Sequence, residues 1–487
     1  MELVRNPPRF SHLLRSARSF GNYDLSAAIA DLVDNSIFAE ADKINIHCEF
    51  LGGKPEIRIR DNGCGMSKTQ LIDAMRTPNR NPEDDREAGD LGRFGWGMKT
   101  ASLSQCSRMT VVTLKNKKTF AASWDVDADD IDDYSMALYS DTEASELLRQ
   151  PFLGSSGTEV IWQNCDRFSE GHTIDSNQFN EIITATGRQL ALIFHRYLSG
   201  GQGLKKLRIS INNTSLEAVD PFHSQHVATQ PLPTETISIL NSKISMKAYI
   251  LPHHSKLERS EYEVLGGADG YIKNQGFYVY RQKRLIIHGT WFRLAKLGEL
   301  SQLVRIRVDI PNNLDTAWKI TLDKSDAQLP SQLKERMRKL IDKFRKQSVK
   351  VYRGRVRVPG NSGISVWNRT AGRGKIRYVI NREHPLVKSL NKKLDKKKKE
   401  SLSAFIESVE NGFPVETLFV DTAADPQNVI QHLINRDEIR DFIWKTLPVM
   451  LGEGKDYRKK LKEIRKTEPY SENLEILDEV LLEMGIG

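Results

Sequence analysis

At 487 residues, 39% hydrophobic and 28% charged, the chain has the composition of ordinary globular protein, long enough for two to four domains. No apolar run is long enough to cross a membrane, and Met1-Glu-Leu-Val-Arg-Asn-Pro-Pro8 lacks a signal-peptide core, so a cytoplasmic protein without membrane partners is expected. The net charge of +9, from 72 Lys+Arg against 63 Asp+Glu, permits a polyanionic partner without demanding one, and four scattered cysteines outside any CxxC argue for free thiols over a disulfide framework or a cysteine-based zinc site.

The first strong pattern is a helix over Ser26–Ile37. Ile29, Leu32, Val33 and Ile37 recur at helical spacing, and Asp31 and Asn35 stand one turn apart on the other side. A carboxylate and an amide so placed suit a metal and a water. Ile44–Phe50 and Glu56–Arg60 alternate as half-buried strands, and the second runs into Asp61-Asn-Gly63-Cys-Gly65-Met66. The two glycines let backbone approach a ligand closely. Ser67 caps a helix through Met75, and the polar segment 77–90 has the composition of a mobile loop. It leads into Gly92-Arg93-Phe94-Gly95-Trp96-Gly97-Met98-Lys99 and a helix over Ala101–Cys106. Such a glycine-rich loop opening onto a helix can wrap phosphate with backbone amides. Its spacing is neither that of a P-loop nor that of a dinucleotide fingerprint. Strands are expected at Met109–Leu114, Thr119–Trp124 and Thr158–Trp162, the last introduced by Gly154-Ser-Ser-Gly-Thr158. A helix follows over Phe179–Tyr197, then a boundary at Gly200–Gly203.

Together, Asp31 and Asn35, Asp61-x-Gly63-x-Gly65, Gly92-x-x-Gly95-x-Gly97 and Gly157-Thr158 resemble, in order and spacing, the GHKL ATPases, which include DNA gyrase, the 90-kilodalton chaperones, histidine kinases and MutL. The resemblance implies an α/β sandwich with a Bergerat nucleotide fold binding ATP and Mg2+. It makes Asn35 the Mg2+ ligand and gives Asp31 the place of the glutamate that orients the attacking water. It makes Asp61 the adenine-binding carboxylate, with Gly63, Gly65 and Met66 beside it and Thr158 supporting the contact through water. Gly92, Arg93, Phe94, Gly95, Trp96, Gly97, Met98 and Lys99 carry over as nucleotide-binding, with 77–90 as the lid. Aspartate in place of glutamate withdraws the carboxylate by roughly 1–1.5 Å, and a misplacement of about 1 Å can cost on the order of a hundredfold in rate.

The second half begins with a strand and turn at Leu207–Asn213. A hairpin follows, turning at Arg281–Arg284 within Gln275–Ile287, and then a strand over Val304–Ile310. Phe277-Tyr-Val-Tyr-Arg-Gln-Lys-Arg-Leu-Ile286 resembles the MORC and MutL branch, including prokaryotic MORC-like ATPases. This implies a transducer whose lysine reaches the γ-phosphate, with Lys324 the candidate and Lys319 the alternative. Gln332–Gln347 reads as a basic amphipathic helix, Val349–Val358 as a strand with a basic face and Arg369–Arg373 as a linker. Val387–Val409, Gln427–Leu451 and Tyr470–Met484 read as helices.

The expected organisation is an ATPase domain over 1–200, a transducer-like domain over 201–347 and a basic region over 348–487. The expected function is an ATP-operated homodimeric clamp acting on DNA or a DNA-processing complex, with a role in defence against foreign DNA. A nucleotide-switched scaffold that hardly hydrolyses ATP and a chaperone acting on protein clients are the alternatives.

Overall fold

Asp24 sets the start of helix α1 (Leu25–Phe38). In the computed structural model its carboxylate accepts the Ala27 amide at 2.7 Å, satisfying one of the first-turn amides that have no partner within a helix. The structure describes residues 15–16, 18, 23–76, 97–128, 135–167, 174–201, 203–239, 242–253, 256–267, 270–298, 301–315, 317–318, 329–353, 364–372, 375–424, 435–452 and 457–486. The chain divides into two compact units, one of residues 1–252 with 257–348, the other of 253–256 with 349–487.

In the first unit α1 is followed by β1 (Lys43–Glu49), β2 (Glu56–Asp61), α2 (Lys68–Met75), α3 (Gly97–Gln105), β3 (Arg108–Lys115), β4 (Lys118–Asp125) and β5 (Ala137–Tyr139). Next come α4 (Asp141–Glu146), β6 (Gly157–Gln163), α5 (Ser176–Ile193), α6 (His195–Ser199), β7 (Arg208–Ile211) and β8 (Thr214–Ser215). Ser67 caps α2 in a full capping box with Gln70, as its sequence predicts. The strands form one sheet in the order β5-β4-β3-β6-β2-β1-β7-β8. All neighbours are antiparallel except β1 and β7. The strand after Gly200–Gly203 thus completes this sheet, pairing Ile209 with Ile44.

Strand alternation sorts the side chains onto two faces. Val111 joins Ile29, Val33, Ile46, Ile59, Leu190 and Phe194 in the main core under α1, α3 and α5, whereas Val112 packs with Ala121, Ala144 and Ile161 under α4. The helix expected over 179–197 is broken at Phe194, which ends α5 and precedes α6.

A second sheet follows, from β9 (Gln230–Pro231), β10 (Glu235–Ile239), β11 (Ser242–Ile250), β12 (Gly276–Arg281), β13 (Arg284–Thr290) and β14 (Val304–Ile310), with α7 (Arg259–Gly266) and α8 (Gly270–Lys273) between β11 and β12. Its order is β10-β11-β14-β12-β13, with β9 on β11. Helix α9 (Ser331–Arg353) buries Leu333, Met337, Ile341 and Phe344, four residues of its predicted apolar face.

Three hairpin turns in this unit place two consecutive residues at positive φ. They are Asn116–Lys117 (52°, 63°), Asn212–Asn213 (46°, 66°) and Gln282–Lys283 (49°, 68°). That is the backbone of the two-residue turn whose twist matches the flanking strands.

The second unit contains the hairpin β15 (Trp367–Gly372) and β16 (Lys375–Ile380), then α10 (Pro385–Lys393), α11 (Lys396–Asn411), α12 (Val415–Ala424), α13 (Arg436–Leu451), α14 (Tyr457–Ile464) and α15 (Leu474–Glu483). Its core gathers Ile443, Leu447, Ile464, Tyr470, Leu477 and Val480. Three expectations are corrected. Residues 349–353 extend α9 and do not begin a strand, because a helix already nucleated adds residues cooperatively. The residues read as a linker from Arg369 are a strand, with Arg369 opposite Tyr378. The helix read over 387–409 is two helices, because Asp395 accepts the Lys398 amide and starts a new one. The start of the helix expected from Gln427 lies outside the described residues, and its remainder is α13.

The overall class is mixed α/β, and no described helix is long and apolar enough to cross a membrane.

Candidate nucleotide site

The site is built on α1 and the strand ends beside it. Asp31 and Asn35 are one turn apart, but their environments differ. Asn35 is exposed, whereas Asp31 is 2% exposed, so the predicted polar face carries its carboxylate inside the fold. The Tyr23 hydroxyl donates to Asp31 Oδ2 at 2.9 Å, and Arg284 on β13 stands 3.8 Å from Oδ1. The α3 start lies against the same carboxylate. A Cβ on Gly97 would stand 3.5 Å from Asp31 Oδ2, in ordinary van der Waals contact. Asp34, a further turn residue of α1, is 2% exposed and paired with the same arginine, whose Nε lies 3.0 and 2.9 Å from its two oxygens.

Asp61 ends β2, buried, with Oδ1 accepting the Gly63 amide (2.8 Å) and Oδ2 accepting the Ser36 hydroxyl (2.9 Å). Burial pushes its carboxyl up, and the Gly63 amide, the Ser36 hydroxyl and the Thr158 backbone oppose that without cancelling it. A carboxylate has about four lone-pair positions, so the two bonds leave capacity to accept a ligand N–H. Asp61 sits opposite Thr158 of β6, and Thr158 sits opposite Thr113 of β3. The two threonine hydroxyls are 3.2 Å apart, and Thr113 Oγ1 also accepts the Met66 amide at 2.8 Å. One hydroxyl layer therefore joins the Asp61 strand, the glycine turn and β6.

The glycines of this turn are required by the protein's own packing. Gly65 has φ +61°, and a Cβ there would stand 2.1 Å from the Leu114 carbonyl oxygen. At Gly63 a Cβ would stand 2.7 Å from the Ala39 carbonyl oxygen. The turn is thereby pressed between the end of α1 and β3.

Lys99 is buried in α3. Its ammonium donates to the carbonyls of Ala74 (3.0 Å) and Arg76 (2.6 Å) at the C-terminal end of α2, a favourable place for a cation. Burial brings its pKa down to about 8. Met98 is half-buried against the main core, as is Met66. Gly92, Arg93, Phe94, Gly95, Trp96, the segment 77–90, Lys319 and Lys324 lie outside the described residues. Asp31 and Asn35 stand one turn apart on α1, and their oxygen donors are the hard type that suits Mg2+. Sequence reasoning missed Tyr23, Ser36, Thr113 and Arg284. Ser36 directly follows Asn35, and Thr113 lies on a predicted strand, but only the register pairs it with Thr158. Nothing local marks Arg284, whose partner is 250 positions away.

Residues 23–151 match the family described as histidine kinase-, DNA gyrase B-, and HSP90-like ATPase. The chain is similar to the DNA mismatch repair protein MutL of Thermotoga maritima, with 26% identity over 174 residues, 34% of this chain and 33% of that one. It is 38% identical to MutL of Erwinia tasmaniensis over 100 residues, 20% of this chain and 16% of that one. With MutL of Haemophilus influenzae (strain PittEE) the identity is 39% over 105 residues, 21% and 16% of the two chains. The matches thus span a third or less of these relatives' length. The ATPase region of Saccharomyces cerevisiae topoisomerase II overlays with a TM-score of 0.41 at 10% identity, covering 72% of this chain and 98% of that one. The segment 23–151, which carries Asp31, Asn35 and Asp61, matches the GHKL ATPase family, and MutL proteins are among the relatives of this chain.

Proposed function

We propose that the chain is an ATP-dependent, Mg2+-dependent homodimeric clamp that acts on DNA or on a DNA-processing complex. The observation that carries this reading is α1 itself. It presents a buried carboxylate, Asp31, fixed by Tyr23, one turn from an exposed amide, Asn35, while its next residue, Ser36, holds Asp61. On this reading Asp61 accepts from the adenine amino group, with Gly63, Gly65, Met66 and Thr158 around it. Asn35 holds Mg2+, and Gly92–Lys99 enclose the phosphates. Bound Mg2+ would offset phosphate charge and align the terminal phosphoryl group. Asp31 orients the attacking water and takes its proton, and Lys324 senses the γ-phosphate. Residues 1–200 serve as the ATPase, 201–347 as the transducer and 348–487 as the basic region that engages DNA or a partner protein.

The polyanion part of the reading is supported by α11. Lys396, Lys397, Lys398 and Lys399 fill its first turn and are all exposed, against the sense of the helix macrodipole. Phosphate contact there would relieve the opposition and would weaken with salt. A role in defence against foreign DNA follows only from the likeness to MORC-like ATPases.

Two measurements test the proposal. With Mg2+ and saturating ATP, turnover should clearly exceed that of Asn35→Ala, which lacks the amide that holds Mg2+ on this reading. Equal rates, with nucleotide still bound by the unaltered protein, would leave the slow nucleotide-switched scaffold, which the short Asp31 side chain favours. Sizing with Mg2+ and a non-hydrolysable ATP analogue, with and without DNA, should give a dimer, and a monomer throughout would defeat the clamp. Binding of unfolded clients with no salt-sensitive DNA binding would turn the reading to a chaperone.

A further inference from the structure

We propose that His223, His226 and Glu261 form a site for a divalent transition-metal cation, with Zn2+ the fitting ion. The site lies outside the nucleotide region, between the turn that follows β8 and the first turn of α7. Among the described residues these three form the group of potential metal ligands in which the donor atoms all lie within 4.8 Å of one another, and each is half-buried.

The separations carry the argument. His223 Nε2 is 3.6 Å from Glu261 Oε1, beyond hydrogen-bond reach. Two ligands each about 2.0–2.1 Å from a tetrahedral Zn2+ stand about 3.4 Å apart. The gap between imidazole and carboxylate is therefore close to one edge of a zinc tetrahedron. His226 completes the set by closing from within 4.8 Å, its ring perpendicular to that of His223 with centroids 4.7 Å apart.

The frame around the three groups is built. Asp220 Oδ1 accepts the Phe222 amide, and its Oδ2 accepts the amide and hydroxyl of Ser224. The His223 carbonyl accepts the His226 amide (3.0 Å) and the Thr229 hydroxyl (2.7 Å). Glu261 Oε2 accepts the Glu258 amide at 3.0 Å, which turns Oε1 toward His223. Such outer bonds orient a metal ligand. His223 is also held at φ +45°, a conformation that costs energy and concentrates at functional positions.

Two features oppose binding and set its strength. The Ala228 amide donates to His226 Nδ1 at 3.1 Å. A metal-bound neutral imidazole has the cation on one nitrogen and a proton on the other, so binding gives up that bond. Arg305, whose guanidinium bonds the carbonyls of Pro221 and Leu265, adds positive potential, against which stand Asp220 and Glu261. Water is expected in the fourth position.

The full chain, stripped with chelator, is titrated with Zn2+ alone by calorimetry and with Co2+ by visible absorption. One equivalent of Zn2+ should bind, and Co2+ should give the intense bands of a four-coordinate site. His223→Asn, His226→Ala and Glu261→Gln should each weaken Zn2+ binding by at least about tenfold. Asparagine tolerates the left-handed backbone at 223, and the test is read on variants that melt like the unaltered chain in chelator. No uptake by the unaltered chain, or equal uptake by all such variants, overturns the site.

Discussion

The two compact units handle charge in opposite ways. In the first, beside exposed pairs such as Arg259–Glu263, several ion pairs are built into the interior. Arg284 and Asp34 are 4% and 2% exposed, Arg281 is buried against Asp315, and Arg58 sits between Glu56 and Glu159. In the second, the pairs Arg436–Glu479, Arg440–Glu483 and Arg465–Asp478 lie along exposed helix faces. An interior pair loses its hydration on both sides and stands only while each partner satisfies the other. An exposed pair exchanges water for a partner at nearly equal free energy. Charge in the first unit therefore specifies how its parts meet, whereas in the second it covers a surface.

The largest expected effect breaks the interior arrangement. Arg284→Ala removes the buried guanidinium that Asp34 and Asp31 share and should destabilise the first unit by about 3–5 kcal/mol. Native-state hydrogen exchange should show the loss in α1 and β13. Arg284→Met combined with Asp34→Leu should recover most of it, and a double variant no better than the single would defeat the pairing argument.

A similar effect comes from acid. His195 is buried, with Nε2 2.8 Å from the Tyr280 hydroxyl, and burial holds its pKa at about 4, below the ordinary 6.5. Between those values the unfolded chain binds a proton that the folded chain excludes. Stability should accordingly fall as pH drops from about 6.5 to about 4, by about 3 kcal/mol in total. Denaturant titrations at several pH values should show this slope, and His195→Gln should flatten it.

Ser67→Ala removes the cap of α2 and should cost about 1 kcal/mol, read as faster exchange of amides in that helix alone. The smallest effect belongs to the second unit. Arg440→Ala should leave its melting unchanged at high and low salt, and a clear drop would show that its surface pairs are more than a covering.

Much of the first sheet was legible because its cues are local. Period-two alternation marked β1 and β2, and Val304–Ile310 is β14 to the residue. What stayed hidden is set by distant contacts. The face of α1 bearing Asp31 reads as polar, yet Tyr23, Gly97 and Arg284 bury it. The pairing of Arg284 with Asp34 crosses 250 positions, and no periodicity encodes it. Residues around Arg369 carry linker composition, and only a facing strand makes them β15. In the candidate site, Asp31, Asn35 and Asp61 stood out by residue type and spacing. Ser36, which bonds Asp61, directly follows Asn35, whereas Thr113, which bonds the glycine turn, could be found only from register.

The hairpin turn at Gln282–Lys283 has a consequence for how the two sheets are aimed at each other. Two of the three positive-φ turns open with asparagine, which tolerates that backbone, and this one opens with glutamine. Its ends compensate. Arg281 bonds Asp315, Arg284 bonds Asp34, and the Tyr197 hydroxyl donates to the Gln282 carbonyl at 2.6 Å. The tip of β12–β13 is therefore tied at both ends, to α1 through Asp34 and to the turn after β14 through Asp315.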